Sequence, residues 1–312
     1  MTDHHRDHDT GHEHDHDHGL EADIARMLNM TASRRQSLRW LFAGAATLPA
    51  LGCGGGGDSS AAATSTTGTA LAAPPATAPV TSPVASTPVT GTSASGATCS
   101  VIPEETGGPY PGDGTNNGVN GVANALILAG VIRSDIRASF AGATGVAAGV
   151  PLTIKLQLQN VSASCATLAG AAVYIWHCDR DGNYSMYSAG VTGENYLRGV
   201  QEVDASGTVT FTTIFPGCYS GRMPHVHFEV YPTLAKAGSA ANRIKTSQFT
   251  FPMATLNEVY ASAGYGASVR NLAAISYATD NVFSDGTSLQ MAAMSGSVAS
   301  GYVATLTVGV SA

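Results

Sequence analysis

The stretch Pro216-Gly217-Cys218-Tyr219-Ser220-Gly221-Arg222-Met223-Pro224-His225-Val226-His227-Phe228-Glu229-Val230 decides how the rest of this chain reads. Seven histidines lie in an N-terminal tract, and only His177, His225 and His227 follow it. From His225 onward the residues suit a β-strand, whose side chains alternate between faces. His225 and His227 therefore share one face, while Val226 and Phe228 turn to the opposite layer. Paired imidazoles on one strand face are a common metal-ligand arrangement. A bare pair of this kind also fits two surface histidines, so the neighbours decide. Tyr219 and Arg222 arrive from the Gly-Pro-rich turn just ahead of the strand.

Around this stretch the sequence predicts a β-rich domain over residues 99–312. Leu152, Ile154, Leu156 and Leu158 alternate with Thr153, Lys155, Gln157 and Gln159, the pattern of a half-buried strand. Further strands are expected at 126–132, 172–177, 208–214, 225–231, 246–251 and 303–310. Turn residues separate them, among them Asp181-Gly182, Asp204-Ala205-Ser206-Gly207, Pro216-Gly217 and Asp285-Gly286. Thr255-Leu256-Asn257-Glu258 has capping-box form and Gly264 follows, which predicts one short helix. The expected fold class is all-β, a β-sandwich with few short helices.

The first 98 residues have a different composition. Residues 3–18 alternate His with Asp and Glu and cannot build a core. Arg34-Arg35 precede the apolar run 40–51, a pattern that resembles a Tat export signal. That run is too short to span a membrane as a helix. Ala50-Leu51-Gly52-Cys53 resembles a bacterial lipobox, in which Cys53 would become a lipidated membrane tether. The expected location is therefore outside the cytoplasm: periplasmic, on the cell surface as a lipoprotein, or extracellular. Residues 54–98 are almost wholly Gly, Ser, Ala, Thr and Pro and read as a disordered linker.

Charge excludes one class of partner. The 312-residue chain has only 15 Lys+Arg against 22 Asp+Glu, and no basic stripe, so nucleic acid is not an expected ligand. No feature fixes an oligomeric state. Of the five cysteines, Cys99, Cys165, Cys178 and Cys218 fall in the domain. Export favours disulfides. Cys99–Cys165 is the preferred pair, and Cys178 and Cys218 either pair or stay as thiols.

Three stretches carry the chemistry: 173–187 (VYIWHCDRDGNYSMY), 219–227 (YSGRMPHVH) and 243–251 (RIKTSQFTF). With Glu104-Glu105-Thr106-Gly107-Gly108-Pro109-Tyr110 upstream, they resemble the intradiol ring-cleavage dioxygenases, relatives of the protocatechuate and catechol dioxygenases. The resemblance runs from about Cys99 to the C-terminus. It implies a mononuclear non-haem Fe(III) held by Tyr184, Tyr219, His225 and His227. Arg222 would be the catalytic arginine, Gln248 would lie near the substrate ring, and Tyr219 would leave the metal and take a proton. The implied substrates are a small aromatic diol and O2, and the implied products are muconate-type diacids. Tyr219 lies only six residues before His225, which resembles the small secreted members, and Cys218 stands where an aromatic is frequent.

The residue types suit that chemistry. Fe(III) is a hard cation, better matched by phenolate oxygen than by thiolate. A strong cation also removes the phenol proton at neutral pH, although a free tyrosine holds it to a pKa of about 10. Two alternatives remain at the level of sequence. Glu229 continues the alternation, so His225, His227 and Glu229 could form a facial site for a divalent metal. The domain could also be a non-catalytic secreted β-sandwich that binds a ligand. Tyr187 rivals Tyr184 as the first tyrosine, and His177 reads as structural.

Overall fold

The alternation expected around Leu152 is realised in the longest strands of the domain. In the computed structural model, residues 88–93, 96 and 98–312 are described. The His-rich tract, Arg34-Arg35, Cys53 and most of the linker lie outside them. The strands are β1 (Thr90–Thr92), β2 (Thr98–Ser100), β3 (Asp113–Gly118), β4 (Gly121–Asn124), β5 (Pro151–Asn160), β6 (Ala166–Thr167), β7 (Ala172–Trp176), β8 (Arg198–Glu202), β9 (Thr208–Ile214), β10 (His225–Tyr231), β11 (Lys245–Thr250), β12 (Ala293–Ser297) and β13 (Gly301–Val310). Two short helices, α1 (Met253–Tyr260) and α2 (Gly266–Ala273), follow β11. No helix among the described residues is long and apolar enough to cross a membrane.

Two sheets hold the core. One runs β11-β10-β7-β8, antiparallel throughout. The other runs β12-β13-β5-β6, with β9 also paired to β5; its β13–β5 pair is parallel. Leu152, Ile154, Leu156 and Leu158 of β5 pack in one cluster with Val173, Ile175, Val226, Phe228, Val230 and Phe249 from the other sheet. Burying each such side chain stabilises the fold by roughly 1.5–3 kcal/mol. Because β10 alternates, filling the inter-sheet core with Val226, Phe228 and Val230 sends His225, His227 and Glu229 to the sheet's other face. That face carries a second cluster containing Tyr174, Trp176 and Tyr184.

Several expectations are revised. The linker does not extend to residue 98, because Thr90–Thr92 pairs with Thr98–Ser100 and Val101 N donates to Val89 O. Residues 126–130 form turns and bends rather than a strand, with Gly130 at φ +96°, and at the end of the run Ile132 makes only an isolated bridge to Val200. Thr255 does not cap a helix: α1 begins after Pro252 and buries Thr255 within it. The expected Cys99–Cys165 disulfide is present, and of the two alternatives for Cys178 and Cys218 the structure has both as buried free thiols.

Candidate metal centre

Each side of the site is set by a local backbone device. Beyond β7, Asp179 accepts from the backbone N–H groups of Asp181 (3.0 Å) and Asn183 (2.9 Å), closing a tight turn that leads into Tyr184. Gly182 sits in that turn at φ +90°, where a Cβ would stand 3.0 Å from Tyr219 Cβ. The two tyrosine loops pack together only with glycine there. The second loop is pinned at Cys218, whose N–H donates to Ser268 Oγ (2.9 Å) and whose carbonyl accepts from Asn271 Nδ2 (2.8 Å), both on α2.

Four polar atoms converge between these loops and β10. His225 Nε2 lies 3.0 Å from His227 Nε2 and 3.3 Å from the hydroxyl oxygens of both Tyr184 and Tyr219. His225 Nδ1 is 2.6 Å from the Met223 carbonyl, so it carries the proton and leaves Nε2 a lone pair. His227 stacks on Trp176, with centroids 4.8 Å apart, and its Nδ1 has no partner of standard geometry. Burial holds both histidines well below their ordinary pKa, hence neutral. Burial pushes the Tyr184 phenol well above its usual value and Tyr219 up to about 12. Two neutral imidazoles and two phenols gathered within hydrogen-bond distance of one nitrogen form a donor set suited to one hard cation. These residues fit a metal.

Beside the cluster lies Arg222, 3% exposed. Its Nε donates to Asp280 Oδ2 (3.0 Å), one Nη donates to Gln248 Oε1 (2.8 Å), and Nη1 has no partner. Gln248 faces His227 across the β10–β11 pair and donates Nε2 to the Thr106 carbonyl (2.8 Å). Both ends of its amide are thus engaged within the protein. Gly108, at φ +69°, passes over His227; a Cβ there would stand 3.3 Å from Cε1.

The remaining candidates lie elsewhere. The Tyr187 hydroxyl donates to Asn116 Oδ1 (2.6 Å) and accepts from Gly112 N, away from the histidines. His177 is buried between Cys178 O and Thr213 Oγ1, with both ring nitrogens engaged. Glu229 accepts from the Tyr231 hydroxyl (2.6 Å) and pairs with Arg243 (3.5 Å) instead of joining the histidines. Among the described residues no group of three or more His, Cys, Asp or Glu side chains could hold a metal. The facial two-histidine, one-carboxylate alternative therefore has no geometric support. Two residues that sequence reasoning missed are Asp280 and Arg198. Neither carries a motif, and their partners are distant along the chain.

Comparison with known proteins places this geometry in context. Residues 134–246 match the family model described as Dioxygenase, a span that contains Tyr184, Tyr219, Arg222, His225 and His227. An intradiol ring-cleavage dioxygenase from Tetranychus urticae is similar in structure, at 24% identity and a TM-score of 0.53, over 68% of this chain and 95% of that one. A second solved dioxygenase is 25% identical with a TM-score of 0.52, covering 68% and 94% of the two chains. The dioxygenase domain of a carbohydrate-binding fusion protein from Streptomyces sp. SirexAA-E is 22% identical with a TM-score of 0.41, covering 67% and 97%. No curated protein sequence matches. Residues 134–246 resemble a dioxygenase in sequence, and the sheet-rich core is the fold these solved dioxygenases share. The chain is thus similar to the intradiol ring-cleavage dioxygenases, by sequence over residues 134–246 and by fold over 68% of its length.

Proposed function

We propose that the domain binds one non-haem Fe(III) through Tyr184, Tyr219, His225 and His227. It then cleaves catechol-type rings between the two hydroxyl-bearing carbons, using O2 and giving muconate-type diacids. The observation that carries this reading is the convergence of both tyrosine hydroxyls and His227 Nε2 on His225 Nε2, at 3.0–3.3 Å. A ferric ion held by these four residues would supply the positive charge that favours ionised phenols and the redox activity needed for a diol to react with O2.

The protein's own residues divide the remaining work. Tyr184 is fully buried and packs against Tyr110, with ring centroids 4.8 Å apart, which suits a permanent anchor. Tyr219 is only half-buried, which suits a phenol that swings away and takes up a proton when the diol arrives. Arg222 holds a fixed positive charge beside the site and keeps Nη1 free to donate to negative charge developing on the substrate ring. Gln248 orients Arg222 through the Oε1 contact and forms part of the wall beside the substrate.

Reconstitution tests the reading. The iron-loaded protein should be red-brown from tyrosinate-to-iron charge transfer, consume O2 with catechol, and yield the ring-opened diacid. A colourless iron-loaded protein, or O2 uptake that gives only quinone, contradicts it. A panel of simple and bulky catechols then identifies the substrate.

We also propose export through the twin-arginine pattern at Arg34-Arg35, with Cys53 as a candidate lipid-bearing residue; both lie outside the described residues. Replacing both arginines with Lys should retain precursor in the cytoplasm, and unimpaired secretion of that variant would refute Tat export. The mass of the mature N-terminus reports whether Cys53 carries lipid.

A further inference from the structure

Arg198 begins β8 and is 1% exposed. Its Nε donates to Ser185 Oγ (3.1 Å). Nη1 donates to the Pro111 carbonyl (2.8 Å) and the Tyr174 hydroxyl (3.1 Å). Nη2 donates to the carbonyls of Tyr110 (3.0 Å) and Ser185 (2.9 Å). Every one of these partners is a neutral oxygen. A buried cation paired with no carboxylate is costly to desolvate and gives a poor return in stability compared with an apolar side chain of similar size. Its presence therefore calls for a role besides cohesion.

The partners indicate that role. Two belong to residues 110–111, which carry the Tyr110 ring against Tyr184. Two belong to Ser185, the residue directly after Tyr184. The planar guanidinium thus ties the loop behind one candidate metal ligand to the loop that packs on its ring. The backbone around this clamp is strained: Met186 (φ 73°) and Leu197 (φ 56°) are non-glycine residues in left-handed conformation, one beside Ser185 and one beside Arg198. Such strain persists only where surrounding contacts over-determine the conformation. Gly112 completes the enclosure, since a Cβ there would stand 2.7 Å from Arg198 Nη1.

We propose that Arg198 is a positioning residue of the active site, whose five-donor fork holds the Tyr184 hydroxyl against His225 and the Tyr110 ring against Tyr184. The proposal rests on the Tyr184 ligand role given above. It assigns the effect to the shape of the fork, because an ammonium in its place keeps the charge but cannot span both loops.

The test uses the full chain carrying Arg198→Lys. In a crystal structure of the iron-free variant, the Tyr184 hydroxyl should leave its 3.3 Å contact with His225. A displacement of about 1 Å is enough to spoil a preorganised site. In the iron-loaded variant the charge-transfer band should shift, and kcat on catechol should fall about 10–100-fold, as for lost outer-shell partners. Combining Arg198→Lys with Tyr184→Phe should change the band and iron affinity no further than Tyr184→Phe alone, whereas a merely structural loss would add. An unmoved Tyr184 with an unshifted band overturns the proposal. If Tyr184 moves in the variant but the wild-type protein gives no coloured iron complex, Arg198 keeps its positioning role and the iron reading fails instead. Should Arg198→Lys not fold, Ser185→Ala removes one partner of the clamp without touching its charge. It should move Tyr184 and the band in the same direction, and no change in either would equally overturn the proposal.

Discussion

Asp280 Oδ2 accepts from Arg222 Nε at 3.0 Å and from the Met223 backbone N–H at 2.7 Å, and Met223 O in turn accepts from His225 Nδ1. One fully buried carboxylate therefore fixes both the guanidinium and the turn that aims a candidate metal ligand. Its other oxygen accepts from Val282 N (2.8 Å) and Phe283 N (3.1 Å), leaving it little freedom. Asp280→Ala leaves the Arg222 charge buried and unpaired, and should cost about 3–5 kcal/mol of folding stability. Asp280→Asn should fold and bind iron yet turn over slowly, because its single acceptor oxygen cannot serve both the Arg222 and Met223 donors and the Val282 and Phe283 N–H groups. Steady-state kinetics beside iron content checks this; a full-speed Asp280→Asn enzyme would rule out the positioning role.

Charge stabilisation and ligation are separable by colour. Arg222→Ala should keep iron and its visible band while kcat falls on the order of 10²–10³-fold, the range for a removed electrostatic donor. Tyr184→Phe should weaken iron binding and bleach most of the band. Tyr219→Phe should shift the band and slow turnover, since its departure belongs to the proposed cycle. His225→Ala and His227→Ala should leave the site without iron. Absorption spectra and metal analysis on one preparation of each variant distinguish these outcomes, and a bleached Arg222→Ala protein would make the arginine a ligation residue instead.

Strands with strict alternation were legible, and so was the placing of His225 and His227 on the face away from Val226 and Phe228. The range 208–214 and the range 225–231 match β9 and β10 residue for residue, because burying one face leaves no other register. The apolar run at 126–132 misled for a physical reason. Leu126 and Val131 are buried but Ile127 and Ile132 are exposed, and Gly130 breaks the run into turns. β8 was missed because it is short and opens with the buried Arg198, where an apolar residue is the usual signal. Asp280 was not readable at all, since its partners Arg222 and Met223 lie 58 and 57 residues away and no spacing rule connects them.

The Cys99–Cys165 bridge closes a separation of 66 residues and ties β2 to the turn after β5. Closing a loop of that length removes about 4 kcal/mol of unfolded-state entropy in the chain-entropy account. Cys99→Ser with Cys165→Ser should lower stability by an amount of that order, while the visible spectrum of the iron-loaded protein stays unchanged. Chemical denaturation of oxidised protein and double variant measures the first quantity. Equal midpoints would show that the bridge is incidental to the fold.

Acid sensitivity should trace in part to His177, which directly follows β7 and lies outside the site. Burial lowers its pKa to about 4, opposed by its contact with the Cys178 carbonyl. The ordinary imidazole value is about 6.5. The unfolded chain therefore binds a proton that the native protein refuses between those two values. His177 adds no penalty above pH 6.5, and stability falls as pH drops from there toward 4, by about 3 kcal/mol for this residue. His225 and His227 are shifted in the same direction by burial, so the iron-free protein should show a steep acid limb. His177→Gln cannot titrate and should flatten part of that limb, whatever it does to stability at pH 7. Urea unfolding of both iron-free proteins at pH 7 and pH 4 reads the difference in slope. Parallel losses in the two proteins would mean that His177 does not contribute.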